Sequence, residues 1–278
     1  MILITGGRGA VATQLTGLLT EHDHSVRVAS SDPGKLEPPP GVETLKLDLT
    51  DPATFAAALS GVGSVFLYAE SAQITEFVAE AEAAGVRHIV VLSTAAVLSP
   101  DAENDHLAKS HLDVENAVRN SPISTTILRP GSFSGNAGAW AWPIKSGHPV
   151  SLPFPNSHND PIHEQDVAEV AYAVLTEPRF QQQEHFLSGP ESLTFAEQID
   201  QLSAVIGRPI SINQVTPEQW KKEMAEYVPE LYAEALIKWW KSNDGRPVQL
   251  TGTVEELTGH PARSFATWAQ DHANDFKH

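Results

Sequence analysis

Through the first two-thirds of the chain, short blocks of consecutive apolar residues alternate with longer stretches whose apolar positions recur every three or four residues. The blocks at 2–5, 25–29, 43–47, 64–68, 88–92 and 125–128 show little in–out alternation, which predicts strands covered on both faces. Residues 10–21, 52–59, 71–84 and 104–119 carry helical periodicity between them. Pro52 behind Asp51 suits the first helical position after an acidic cap. Strands and helices in strict alternation predict an α/β fold, with right-handed βαβ units wound onto a parallel sheet. Pro38, Pro39, Pro40 and Gly41 predict a loop in place of most of one crossover helix.

The pattern loosens from about residue 135 to 155, where Gly, Pro and Trp are interspersed. A helix at 164–175 and a short strand at 185–187 follow. The remainder reads mostly helical, at 195–206, 217–227, 230–241 and 264–276. Trp239 and Trp240 on one of these helices are expected in the core, and Asp166 is expected as a helix cap or first-turn acid.

Composition narrows the function classes. Of 278 residues, 41% are hydrophobic and 19% charged, an ordinary globular balance. Eighteen basic against 35 acidic side chains give a net charge of −17, which repels phosphate backbones and anionic lipid. Partners are therefore expected to be small molecules rather than nucleic acid or membrane, with the chain a monomer or homodimer. The absence of cysteine excludes disulfides, thiolate metal sites and a cysteine nucleophile. The twelve histidines show no metal-ligand spacing, so no metal is expected. Met1 runs straight into Ile2-Leu3-Ile4 without a basic leader or a membrane-length apolar stretch, and a cytoplasmic location is expected.

Candidate chemistry begins where the first strand meets the first helix. Thr5-Gly6-Gly7-Arg8-Gly9-Ala10-Val11-Ala12 is a glycine-rich turn in the strand–turn–helix context of a dinucleotide-binding loop. Gly6 allows the tight turn, Gly9 brings backbone close to a pyrophosphate, and Ala12 keeps the helix near the sheet. Free N–H groups of the first helical turn face the phosphates. The fold class is thus α/β, a Rossmann-type doubly wound parallel sheet with a smaller, mostly helical C-terminal part on the substrate side. Residues 1–136 with 164–188 form the NAD(P)-binding domain, and residues 137–163 with 189–278 the smaller one. The second strand ends Ser30-Ser31 without an acid at its tip, and Arg8 and Lys35 are placed to meet a 2′-phosphate. NADP(H) is therefore preferred and NAD(H) possible. Asp32 is the counter-indication, read here as a turn starter.

In order and spacing these motifs resemble the NmrA-like branch of the atypical short-chain dehydrogenase/reductases. The likeness runs through Thr5-Gly6-x-x-Gly9-x-x-Ala12, Asp48-Leu49-Thr50, Leu92-Ser93-Thr94, Leu128-Arg129-Pro130-Gly131-x-Phe133-x-x-Asn136, Asp166-Val167-Ala168 and Leu187-Ser188-Gly189-Pro190-Glu191. It implies an adenine contact at Asp48 and Leu49. Ligands bind at the carboxyl ends of strands in such sheets. That extends the cofactor site to Tyr68 and Ala69, to Ser93 and Thr94, and to Pro130, Gly131, Ser132 and Phe133.

The resemblance also exposes a departure. Relatives carry a catalytic Tyr-x-x-x-Lys pair, with a glutamate four residues after the lysine and fourteen before the Arg-Pro-Gly arginine. Glu115 stands fourteen before Arg129, so the lysine position falls on His111 and the tyrosine position on Leu107. The chain is similar here to NADPH:quinone oxidoreductase 2-like enzymes and triphenylmethane-dye reductases, which do without the tyrosine. His111 and Glu115 are the candidate catalytic pair, sharing a helix face at i and i+4. His111 fixes the nicotinamide ribose or relays a proton, or else is a structural histidine satisfied by Glu115. Tyr68 stacks near the cofactor or belongs to the core. Phe133, Asn136, Trp140 and Trp142 are the candidate substrate residues; the two tryptophans either wall a flat substrate or staple their segment to the C-terminal helices. The resulting expectation is an NADPH-dependent reductase that passes hydride to a small conjugated or quinone-like acceptor. The alternative is a non-catalytic NAD(P) redox sensor.

Overall fold

The apolar blocks become strands of one parallel sheet. In the computed structural model, which describes residues 1–277 and leaves His278 outside the described residues, the strands are β1 (Ile2–Ile4), β2 (Val26–Ser30), β3 (Glu43–Lys46), β4 (Ser64–Tyr68), β5 (His88–Leu92), β6 (Ser124–Pro130), β7 (Val150–Leu152), β8 (His158–Asn159), β9 (Glu184–Leu187), β10 (Leu193–Thr194) and β11 (Ile212–Gln214). Seven of them form the main sheet in the order β3-β2-β1-β4-β5-β6-β9. Every pairing in it is parallel. The reversal of strand order at β1 and β4 opens the crevice where such sheets bind ligands.

Helices α1 (Ala10–Glu21), α2 (Phe55–Leu59), α3 (Ile74–Ala83), α4 (His106–Arg119), α5 (Ala141–Lys145), α6 (Glu164–Thr176), α7 (Phe195–Ile206), α8 (Pro217–Met224), α9 (Glu230–Ser242), α10 (Thr253–Thr258) and α11 (Phe265–Asp271) complete the chain. The Asp51 carboxylate caps its turn by accepting from the Ala53 amide at 3.1 Å, as the Asp-Pro pair predicts. The 38–41 segment is a loop, as expected, and the β2–β3 connection holds only a short 3-10 turn at Pro33–Lys35.

Two apolar cores sandwich the sheet. On one face Val11, Leu15 and Leu19 of α1 pack with Val167, Ala171 and Val174 of α6. On the other, Phe55, Leu59, Phe77, Val114 and Val118 bring α2, α3 and α4 onto the strands. Each such Leu or Phe, taken fully out of water, contributes about 1.5–3 kcal/mol. Arg27 lies in the middle of buried β2, its guanidinium donating to the Ala58 and Ser60 carbonyls at 2.7 and 2.8 Å and to Glu43 at 3.0 Å.

A third core gathers the C-terminal elements around Phe195, Phe265, Trp268 and Phe276. Trp240 joins it edge-to-face with Phe195 at 5.4 Å and with Trp220 at 4.8 Å. Trp239, expected beside it in the core, is instead 41% exposed, because consecutive helical positions point about 100° apart. Asp166 lies in the first turn of α6 as expected, but His163 provides the cap, its Nδ1 accepting from the Gln165 amide. The Asp166 carboxylate accepts from the Arg263 backbone amide at 2.7 Å and pairs with its guanidinium, fastening the C-terminal segment to α6. Asp166, Glu169 and His260 are grouped closely enough to hold a cation, and Arg263 supplies that positive charge, donating to Glu169 at 2.8 and 3.0 Å.

Candidate functional site

The glycine loop bridges β1 and α1 at the strand-order reversal. Gly6 adopts φ +61°, the left-handed region that glycine enters without strain. Its carbonyl accepts from the Gly9 amide at 2.8 Å, closing the turn. Gly9 caps α1 with no side chain, and no acid stands in the first turn. The amides at the helix start are therefore left for a ligand, with one exception. Tyr68, at the end of β4, lays its hydroxyl against α1 and accepts from the Ala12 amide at 3.2 Å. Gly7 also lies close to the sheet, where an added Cβ would collide with Val28 of β2, and Ala12, expected to keep the helix near the sheet, is fully buried in the core.

A cleft of about 400 Å³ opens beside the loop, lined by Thr5, Gly6, Arg8, Gly9, Ser30, Ser31, Leu47, Asp48, Leu49, Thr50 and Glu70. Eight of these are residues predicted from sequence, drawn from the ends of three adjacent strands. Asp48 accepts from the Thr50 amide at 3.0 Å and hydroxyl at 2.7 Å, and these bonds hold its carboxyl below the usual range. Leu47, Thr50 and Glu70 are the unpredicted liners. Thr50 was within a recognised motif, whereas nothing in the sequence marks Glu70.

At the mouth of the cleft the two predicted cations separate. Arg8 is exposed and has no ion-pair partner among the described residues. Neither Lys35 nor Asp32 lines the cleft; they pair with each other at 3.0 Å across the 3-10 turn. The Ser30 hydroxyl accepts from the Asp32 amide at 3.2 Å. Val11 is buried in the α1 core, so its side chain is withdrawn from the cleft, and Ala69 is half-buried outside it.

The other end of the crevice is formed by segments after β5 and β6. Ser93 is buried and donates to Glu115 at 2.6 Å, and Thr94 caps the short turn that follows. Pro130 closes β6, and Phe133 bridges to Ile162. The Ser132 amide donates to Asp160 at 3.0 Å, and a Cβ on Gly131 would fall on that carboxylate. Burial pushes the Asp160 carboxyl up to about 6. Asp160 went unnoticed in the sequence because its contacts lie 28 residues away and no motif announces them.

The expected His111–Glu115 pair does not form. Glu115 is fully buried and receives Arg129 through Nε and Nη2 at 3.0 and 2.7 Å, Arg119 at 2.7 Å and Ser93. Both carboxylate oxygens are thereby taken, so Glu115 neither orients the imidazole nor offers a base. It anchors α4 to β6. His111 Nδ1 is buried without a hydrogen-bond partner among the described residues. Burial lowers the His111 pKa, partly offset by the Glu115 charge. The tryptophans diverge as well. Trp140 packs edge-to-face on Phe195 at 5.8 Å, stapling its segment to α7, while Trp142 is 71% exposed beside His148. Neither closes a wall with Asn136, which is exposed on the 3-10 helix Ser134–Trp140 that follows β6.

A family model described as NAD(P)H-binding matches residues 6–178. The chain is 36% identical, over 99% of both chains, to the (4-alkanoyl-5-oxo-2,5-dihydrofuran-3-yl)methyl phosphate reductase of Streptomyces griseus. It is 32% identical, over 99% of both, to the NAD(P)H azoreductase of Xenophilus azovorans. Among solved structures, the NADPH-dependent quinone oxidoreductase of Escherichia coli complexed with NADPH superimposes with a TM-score of 0.82 at 21% identity, covering 98% of this chain and 99% of that one.

Proposed function

The chain is an oxidoreductase belonging to the NAD(P)H-binding family, and on that footing we propose that it is an NADPH-dependent reductase of small, electron-poor conjugated acceptors. The observation that carries the cofactor choice is Arg8. It stands unpaired at the cleft beside Ser30 and Ser31, where a 2′-phosphate would gain a charge-assisted hydrogen bond. The donor set suits the dinucleotide: bare amides at the start of α1 for the pyrophosphate, and Leu47, Asp48 and Leu49 for the adenosine end. Residues 1–136 with 164–188 are assigned to cofactor binding and the remainder to the acceptor side.

When bound, the reduced nicotinamide supplies a hydride from its C4. The chain's contribution is orientation. Pro130, Gly131, Ser132 and Phe133 would border the ring, their segment held by the Asp160 bond to the Ser132 amide. His111, on α4 where relatives carry lysine, would meet the ribose as a neutral imidazole, consistent with a pKa lowered by burial. Leu107 occupies the tyrosine position, so solvent supplies the proton that completes the reduction. Relatives named for a 5-oxo-2,5-dihydrofuran substrate and for azo reduction support an acceptor with a polarised conjugated system.

The test is NADPH oxidation by the purified protein against quinones, enones, azo dyes and cationic dyes. Turnover with at least one class supports the proposal. Tight cofactor binding without oxidation of any of them replaces it with the redox-sensor reading.

A further inference from the structure

We propose that Tyr68 is a working part of the phosphate site, its hydroxyl fixed by the Ala12 amide and donating its own proton to the cofactor's pyrophosphate. The inference rests on the cofactor reading above and extends it to a residue outside the glycine motif.

Three observations meet at this side chain. The Tyr68 backbone is fixed first, its amide donating to the Thr5 hydroxyl at 2.9 Å, which ties the end of β4 to the end of β1. The hydroxyl then accepts from Ala12 N–H, so the lone pairs are engaged while the phenolic proton has no acceptor among the described residues. Finally, the ring and hydroxyl lie directly against the two glycines that line the cleft. A Cβ on Gly6 would sit 2.8 Å from Tyr68 Cδ2, and one on Gly9 would overlap the hydroxyl itself.

These contacts give the glycines a second reason to be glycine. The dinucleotide explanation holds that Gly9 is bare so that backbone can approach pyrophosphate. Here the space that a side chain would fill is already filled by Tyr68, which packs against the loop beside the cleft without being one of its lining residues. A phenol in that position serves an anion well. Burial pushes Tyr68 up to about 12, with the Glu164 charge adding to the effect, so the group stays protonated and remains a donor at neutral pH. The Ala12 N–H polarises the hydroxyl, which strengthens the bond it donates onward. The tyrosine thus passes the helix-start field one atom further toward the phosphates.

The experiment compares Tyr68→Phe with wild type in calorimetric titrations of two ligands, NADPH and adenosine 2′-monophosphate, which lacks the pyrophosphate. The phenylalanine keeps the ring against Gly6 and Gly9 and removes only the hydroxyl. The expected result is NADPH affinity weaker by about tenfold, as for one lost hydrogen bond to a charged group, with the nucleotide affinity unchanged. Equal NADPH affinity in both proteins, tighter binding in the variant, or the same loss for both ligands would each overturn the proposal. Failure of wild type to bind NADPH or NADH at all would instead overturn the cofactor reading beneath it. A second pair of variants tests the steric half without reference to ligand. Gly9→Ala should lower the thermal midpoint, and adding Tyr68→Ala should recover most of that loss. A double variant no more stable than Gly9→Ala would show that the alanine collides with something else.

Discussion

Arg129 of β6 grips Glu115 of α4 through two hydrogen bonds, Nε to Oε1 at 3.0 Å and Nη2 to Oε2 at 2.7 Å, inside a seam where the carboxylate is fully buried. The pair is extended by Glu184, which meets Arg129 at 2.8 Å and Arg119 at 2.6 Å. Through Ser93 the same carboxylate reaches the segment after β5 that borders the crevice. Glu115 therefore acts on the site by positioning α4 and the Ser93 turn.

Breaking this pair leaves the Arg129 guanidinium, mostly buried, with only the half-exposed Glu184 carboxylate as counter-ion. Glu115→Ala is expected to cost about 3–5 kcal/mol of folding stability, read from urea unfolding midpoints at neutral pH. If Glu115 were instead an exchangeable acid serving His111, the variant would keep its stability and lose only activity.

The proposed preference for NADP(H) rests on Arg8 rather than Lys35. Arg8→Ala should weaken NADP(H) binding by about 1.5–3 kcal/mol, a charge-assisted bond lost, and leave NAD(H) nearly unchanged. Lys35→Ala should have a much smaller effect, because Asp32 already neutralises that ammonium at the surface. Calorimetric titration of both dinucleotides into both variants checks the ordering. Equal losses for the two cofactors in Arg8→Ala would exclude a 2′-phosphate contact.

Much of the scaffold was legible because its signals are local. The strands β4 and β5 were read at their observed bounds, since a strand buried on both faces is an uninterrupted apolar run. The glycine loop was legible for the same reason and supplied the cleft liners Thr5, Gly6, Arg8 and Gly9, while Ser30 and Ser31 came from the tip of the second strand and Asp48 and Leu49 from the family resemblance. Long-range partners carried no such signal. His111 and Glu115 share a helical face, and that periodicity suggested a pair; the stronger partner, Arg129, arrives from another strand. Gly131 showed a glycine but not the Asp160 carboxylate pressed against it from the crossover before α6. Lys35 is expected from the sequence to meet a 2′-phosphate, whereas in the fold it pairs with Asp32 three residues earlier. Trp140 ends a 3-10 helix and Trp142 lies two positions on in α5, enough to place one against the C-terminal core and the other in water.

The buried Asp160 carboxyl predicts a pH dependence of definite sign. Its pKa in the folded chain is about 6 against an ordinary 3.8, so folding favours the protonated form. Its favourable contribution is complete below pH 3.8 and lost as pH rises through 6. The linked change is about 3 kcal/mol, at roughly 1.4 kcal/mol per unit. Asn keeps an oxygen for the Ser132 amide and carries no charge. Asp160→Asn should accordingly be more stable than wild type at pH 7.5 and similar to it near pH 4, in chemical unfolding at the two pH values. A constant difference between the proteins across that range would contradict the assignment.

The central claim is direct hydride transfer without a tyrosine acid, and single-turnover kinetics with C4-deuterated NADPH bound in advance test it most directly. The account predicts a primary isotope effect on acceptor reduction in the wild type. In His111→Ala it predicts transfer slowed by far less than the about 10²-fold that loss of a general acid would cost, with the isotope effect retained, because the imidazole only positions the ribose. It further predicts no loss of wild-type rate as pH rises from about 7 to about 8, because burial lowers the His111 pKa and favours the neutral imidazole. Bound NADPH that stays reduced in the presence of quinones, enones, azo dyes and cationic dyes would contradict it.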